Sequence, residues 1–264
     1  MSDRVVVITG ASSGIGAELA RQFGRRGDAL VLAARSVEAL QQVAADAGTR
    51  THVVRTDVTV RADLERLRDE AIDAFGHVDV WVNNAGRGIN RHVLELTEQD
   101  FDEMMAVNAK APLFAMQAIV PHFQQRGRGH VVNVSSFLGR VPLAPNRSAY
   151  NAAKAALNAL TANLRVDLAA RWPDIHVSVV MPGVVTTPFA ANALGAPPEP
   201  PVARPVGMQP QTVEEATAAI VELIDHPRPE LYTNPASPEI ARRYYADVGA
   251  FEAEARARFG APAR

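Results

Sequence analysis

The sequence predicts an α/β protein, a doubly wound parallel sheet with helices on both faces. Short β-branched runs recur as far as Met181, and the stretches between them are long enough for crossover helices. The first run also passes straight into a glycine-rich turn, a common way for a strand to hand over to a helix in such sheets.

The runs cover residues 5–9, 29–33, 52–57, 78–83, 130–135 and 176–181. Each is almost continuously apolar, as suits parallel strands covered on both faces. Residues 15–26, 62–75 and 149–171 carry helical patterns between them. Local signals mark further helix starts: Thr97 with Asp100, Thr212 with Glu215 as a capping box, and Ser237 before Pro238 at the first helical position. Seven of the 18 prolines fall between Pro188 and Pro210, so residues 189–211 read as an extended loop, either a plain connection or a substrate-binding lid. Ile240, Tyr244, Val248, Phe251, Ala255 and Phe259 recur at spacings of three and four, giving one amphipathic helix over 238–259. Such a helix packs on its own subunit or a partner's, or attaches to a membrane surface. No repeat or second core divides the chain, and residues 1–264 are expected to form a single domain.

Composition then removes whole classes of function. The 27 basic and 29 acidic side chains leave a net charge of -2, which argues against a nucleic-acid partner. The absence of cysteine excludes disulfides, thiolate nucleophiles and cysteine-ligated zinc. Seven histidines form no H-E-x-x-H, so no metal site is expected. No run approaches the ~18 apolar residues of a membrane span. The start of the chain lacks a signal-peptide core, which makes a cytoplasmic protein the expectation. Among the basic residues the only lysines are Lys110 and Lys154.

The turn after the first strand, Gly10-Ala11-Ser12-Ser13-Gly14-Ile15-Gly16, has two readings. Its glycines let backbone approach a ligand closely, and the helix that follows offers free N–H groups to a pyrophosphate. The spacing is G-x-x-x-G-x-G rather than G-x-G-x-x-G. The same residues also satisfy G-x-S-x-G, the nucleophile elbow of α/β-hydrolases, with Ser12 as nucleophile. A hydrolase elbow normally follows several strands, whereas this turn follows the first.

Taken together, Thr9 to Gly16, Asn83-Asn84-Ala85-Gly86 and Tyr150-Asn151-Ala152-Ala153-Lys154 resemble the motifs of the classical short-chain dehydrogenase/reductase family. The resemblance spans residues 5–188 and implies a single-domain Rossmann-like fold. It implies a catalytic tetrad of Asn108, Ser136, Tyr150 and Lys154. Four tyrosines and two lysines give an expected count of about 0.03 for Y-x-x-x-K by chance. Spacing of four puts Tyr150 and Lys154 on one helix face, where an ammonium would favour the phenolate. Pro112 denies the Asn108 carbonyl its helical partner, which predicts a kink there. The resemblance makes that carbonyl part of a proton path to Lys154, and gives Ser136 the task of orienting the substrate oxygen.

The resemblance also implies a nicotinamide cofactor. Residues 10 and 12–16 (Gly10, Ser12, Ser13, Gly14, Ile15, Gly16) would hold its pyrophosphate, with Asn84, Ala85 and Gly86 along its length. Asp57 and Val58 would meet the adenine. Pro182, Gly183, Val185 and Thr187 would meet the nicotinamide end, and Tyr150 and Lys154 the ribose. The second strand ends in Ala34 and Arg35 where an NAD-preferring chain usually has an acidic residue, so NADP(H) is expected. Members of the family commonly form homodimers or homotetramers. The implied reaction is interconversion of a carbonyl and an alcohol on a small molecule; a non-catalytic NADP-binding sensor is the other reading. Phe137, Leu138, Val141, Leu143, Phe189, Leu194, Val202 and Met208 suggest an apolar substrate pocket. Arg87, Arg140 and Arg147 are available to a substrate anion or to solvent.

Overall fold

The structure, a computed structural model, describes residues 4–144, 146–195 and 208–259. Among these residues seven strands form one sheet in the order β3-β2-β1-β4-β5-β6-β7, every pairing parallel. They are β1 (Val5–Thr9), β2 (Ala29–Ala34), β3 (Thr51–Arg55), β4 (Val80–Asn83), β5 (Gly129–Val134), β6 (Ile175–Met181) and β7 (Glu230–Tyr232). The fold is the doubly wound, Rossmann-like sheet that the pattern of runs predicts. Val7 pairs with Val31 on one side and Trp81 on the other, so β1 lies centrally and the strand order reverses beside it.

Strand periodicity explains the two cores. Val6, Ile8, Leu30, Leu32, Val80, Val82 and Val132 point to one face, under α1 (Gly14–Arg25), α2 (Val37–Ala47) and α7 (Val213–Asp225). Val5, Val7, Val31, Trp81 and Val131 point to the other, under α3 (Arg61–Phe75), α5 (Ala111–Arg126) and α6 (Ser148–Ala169). Alternate residues therefore feed opposite hydrophobic layers, which is why the runs show no polar alternation. At about 25 cal/mol per Å² of apolar area removed from water, these layers are the main source of stability.

The two capping boxes form as expected. Thr97 Oγ1 accepts from Asp100 N at 3.1 Å at the start of α4 (Glu98–Met105), and Thr212 Oγ1 accepts from Glu215 N at 3.1 Å at the start of α7. Three expectations need correction. Ser237 is not a cap: α8 (Ser237–Ala246) begins at it, Ala236 holds the capping position, and the buried Ser237 hydroxyl has no partner among the described residues. The helix expected over 238–259 is two helices, because Asp247 turns extended and separates α8 from α9 (Val248–Phe259). The kink expected at Asn108 is a π-helical stretch, Ala106–Lys110, joining α4 to α5. There Ala111 N donates to Ala106 O, five residues back, and the wider turn absorbs the discontinuity that Pro112 imposes.

Much of the expected loop 189–211, Val202 included, lies outside the described residues. Its two ends are pinned. Leu194 bridges to Ile89, and Gln211 bridges to Val185. Among the described residues no helix is long and apolar enough to cross a membrane.

Candidate active site

The carboxyl ends of the strands open into one cleft of about 1410 Å³. That exceeds the roughly 300–1,000 Å³ of a drug-sized site and has room for a dinucleotide and a second small molecule. Every candidate residue of the glycine turn except the buried Gly16 lines it, as do Arg35, Asp57, Val58, residues 84–86, Ser136, Tyr150, Lys154, Pro182, Gly183, Val185 and Thr187. Asn108 lies behind this wall, fully buried.

The glycine turn is built by close approach. Gly10 takes φ +65, and a Cβ there would lie 2.7 Å from the Ala85 Cα; one on Gly16 would lie 2.4 Å from the Gly10 carbonyl. Any side chain would force β1, β4 and α1 apart. Ser13 occupies the capping position of α1 without bonding to it, which leaves the first N–H groups of the helix facing the cleft. No histidine lines the cleft among the described residues, so Ser12 has no imidazole base and the hydrolase elbow loses its chemistry. Arg35 is exposed at the rim with no carboxylate partner among the described residues. Asp57 spends one carboxylate oxygen on Thr59, accepting from its N at 3.0 Å and its Oγ1 at 2.7 Å, and so shapes the turn after β3.

Asn84 does more than line the cleft. Its Nδ2 donates to the carbonyls of Thr9 and Gly10 at 3.0 and 3.2 Å, while Thr9 Oγ1 accepts from the N–H groups of Asn84 and Ala85. Buried Thr9 therefore locks the end of β4 onto the glycine turn, a role the sequence reading missed. Asn108 clamps the next step: its Oδ1 accepts from Arg87 N at 3.2 Å and its Nδ2 donates to Arg87 O at 2.9 Å.

Helix α6 delivers Tyr150 and Lys154 to the floor of the cleft. Ser135 Oγ donates to Lys154 O at 3.2 Å, and Lys154 Nζ donates to Val134 O at 2.8 Å. A chain of buried bonds ties the helix down further. Trp81 Nε1 donates to Asn83 Oδ1, Asn83 Nδ2 to Asn133 Oδ1, Asn133 Nδ2 to Thr161 Oγ1, and Thr161 Oγ1 to Leu157 O, all within 2.9 Å. No periodicity announces this chain, because its polar members sit where apolar ones would also fit.

Burial sets the electrostatics. It pushes the Tyr150 phenol up to about 12, against hydrogen bonding from Ser136 and the positive charge of Arg147, which pull it down. It pushes Lys154 down to about 7. In the protein alone, desolvation outweighs the Ser136 hydrogen bond and the Arg147 charge, the two influences that lower the phenol. Ser136 Oγ accepts from Leu138 N at 3.1 Å, which fixes the hydroxyl beside Tyr150.

Comparison with known proteins agrees with this architecture. Residues 4–196 match the model of the short chain dehydrogenase family. An uncharacterised oxidoreductase of Staphylococcus epidermidis is 35% identical over 189 residues, 72% of this chain and 81% of that one. A short-chain dehydrogenase/reductase of Burkholderia phymatum, solved with NAD, is 28% identical with a TM-score of 0.82 over 95% of this chain and 96% of that one. An alcohol dehydrogenase of Thermococcus sibiricus, solved with 5-hydroxy-NADP, is 30% identical with a TM-score of 0.75 over 89% and 97%. A glycine turn, an Asn-Ala-Gly strand end and a Tyr-x-x-x-Lys helix meeting at one cleft, in a chain matched over most of its length, have one explanation: this protein is an oxidoreductase that belongs to the short-chain dehydrogenase/reductase family.

Proposed function

We propose that the protein interconverts a ketone or aldehyde and the corresponding alcohol on a largely apolar small molecule, using NADP(H). The observation that carries the reading is the convergence of Ser136, Tyr150 and Lys154 on the cleft that also holds the uncapped start of α1. The fit to a dinucleotide rests on the glycine cradle that a Cβ would fill and on the unbonded capping position at Ser13. A bound nicotinamide would give or take a hydride at its C4.

The chain's own residues do the rest. Tyr150, kept protonated by burial, donates its hydroxyl proton to the developing alkoxide in reduction and takes it back in oxidation. Ser136 orients the substrate oxygen, and Lys154 holds ribose hydroxyls and passes a proton. Residues 12–15 bind the pyrophosphate, and Arg35 favours a 2′-phosphate because Ala34 stands where an acidic residue would otherwise meet the ribose 2′-hydroxyl. Phe137, Leu138, Leu143, Phe189 and Met208 line the substrate end. Val166 on α6 is 75% exposed and Phe101 on α4 is 44% exposed, which supports a homo-oligomer formed through that side.

The test is NADPH oxidation against a panel of ketones and aldehydes, with a cofactor thermal shift in parallel. Turnover supports the reading. A thermal shift with no turnover across the panel would point to a cofactor-binding sensor instead.

A further inference from the structure

We infer that Arg147 anchors an anionic group of the substrate, so that the compound reduced or oxidised at Tyr150 is an oxo acid or its hydroxy acid. This deepens, and rests on, the carbonyl–alcohol reaction proposed above.

Among the arginines around the substrate end, Arg147 is set apart by its lack of an acidic partner. Arg87 pairs with Glu103, Arg91 with Asp100 at 2.9 Å, and Arg140 with Glu230 at 2.6 Å. Arg147 lines the cleft, yet no carboxylate among the described residues reaches it. Its one side-chain bond among those residues is from Nη1 to the Ile89 carbonyl at 3.3 Å, which leaves most of a five-donor fork unused.

Its placement points the fork at the chemistry. Arg147 immediately precedes α6, three residues before Tyr150. A Cβ on Gly88 would lie 2.6 Å from Arg147 Nη1 and 3.0 Å from Phe189 Cε1, so the guanidinium and that ring share one narrow wall that only glycine leaves open. The Phe189 ring stands 5.6 Å from the Tyr150 ring, and Leu138 and Leu194 pack into the same cluster. Burial works against the Arg147 charge, and Tyr150 is the group whose field reaches it. A half-desolvated cation without a counterion costs free energy that a bound carboxylate would repay through a charge-assisted, two-pronged contact. The acidic residues that line the cleft are engaged elsewhere: Glu103 is held by Arg87, and Asp57 lies with the adenine-side residues and bonds Thr59.

In reduction the carbonyl carbon gains a hydride and its two electrons from the reduced nicotinamide, and the oxygen gains the Tyr150 proton, which solvent replaces. The carboxylate on Arg147 is unchanged.

The experiment compares pyruvate, acetoacetate and levulinate with their methyl esters, using the wild type, Arg147→Met and Arg147→Lys. In kcat/KM the wild type should favour acid over ester by about 10- to 100-fold. Arg147→Met should collapse that ratio to within about threefold of unity, with Arg147→Lys in between. If Arg147 acted only by tuning the phenol, acid and ester would change together and the ratio would stay, which overturns the anchor. A binding readout runs beside it: with NADPH present, millimolar acids should raise the thermal midpoint of the wild type more than their esters do, and Arg147→Met should lose the difference. Equal shifts by acid and ester, or a difference that survives in Arg147→Met, also overturn it. Acids and esters that bind with this difference but are never turned over would overturn the proposed carbonyl–alcohol reaction and leave the anchor standing.

Discussion

Lys154 Nζ lies 5.8 Å from the centre of the Tyr150 ring and donates to the Val134 carbonyl at 2.8 Å. Lys154 is thus tied to the end of β5 rather than to Tyr150 by a direct bond. The carbonyl of β5 fixes the lysine, one helical turn fixes the tyrosine above it, and both side chains are almost wholly buried. On the proposed mechanism that arrangement keeps the phenol protonated as the donor, beside an amine that burial pushes down to about 7.

Replacing Tyr150 with Phe removes the proton donor while keeping the ring against Phe189. Turnover should fall by roughly 10²- to 10⁴-fold or more, the usual worth of a positioned acid. NADPH binding, followed by its fluorescence, should change little. A variant that keeps wild-type kcat would take Tyr150 out of the mechanism.

The buried lysine leaves a mark on stability. Its folded value of about 7 lies below the ordinary 10.5. Between those values the unfolded chain holds a proton that the folded chain has lost, so stability rises with pH across the window. Tyr150 acts the other way, but only above its ordinary 10.0, because its folded value is raised to about 12. From about pH 7 to about pH 9 the lysine should dominate, and the thermal midpoint of the wild type should climb relative to that of Lys154→Met. Curves that run parallel would show that Lys154 does not pay this desolvation cost.

The difference between what the sequence displays and what it hides follows from how each feature is encoded. Strand runs and the Thr97 and Thr212 boxes are local patterns, and they form where expected. The α2 helix carried its own signals, since Ser36 Oγ accepts from Ala39 N at 3.3 Å and Gly48 closes it at φ +64, but the short segment was not singled out. Strand β7 has only three residues and, among the described residues, pairs with β6 alone, so no period marks it. Asp247 breaks an apolar stripe whose spacing continues past it, because spacing alone says nothing of backbone direction. In the site, motif residues were legible by type and interval. The tie from Thr9 to Asn84 and Ala85, and the roles of Asn133 and Thr161, were not, because those partners are distant in sequence.

On the proposed reading, Arg35 is the local basis for a preference for NADP(H). An exposed guanidinium at the end of β2 gains a charge-assisted contact with a 2′-phosphate and nothing comparable with a hydroxyl. Arg35→Ala should lower kcat/KM for NADPH by about 10- to 100-fold, the equivalent of roughly 1.5–3 kcal/mol, and alter that for NADH by less than about threefold. Equal use of both cofactors by the wild type would refute the assignment at once.

The buried chain from Trp81 to Leu157 should govern both stability and rate. Asn133 sits at its centre, accepting from Asn83 and donating to Thr161 at 2.8 and 2.9 Å, with no exposure to solvent. Asn133→Leu keeps the volume but strands a donor on Asn83 and leaves the Thr161 hydroxyl without its donor. Each unsatisfied group costs about 1–3 kcal/mol in such surroundings, so the variant should lose roughly 2–4 kcal/mol in urea unfolding. Thr161→Val removes only one end and should lose about half as much. Because Thr161 also bonds to Leu157, one turn beyond Lys154, the loosened helix should misplace Tyr150 and Lys154 together. Small displacements of reacting groups are expensive, and kcat at saturating substrate should drop about tenfold or more in Asn133→Leu while the folded fraction stays high. A variant as unstable as expected but with unaltered kcat would separate the two effects and confine the network to holding the fold.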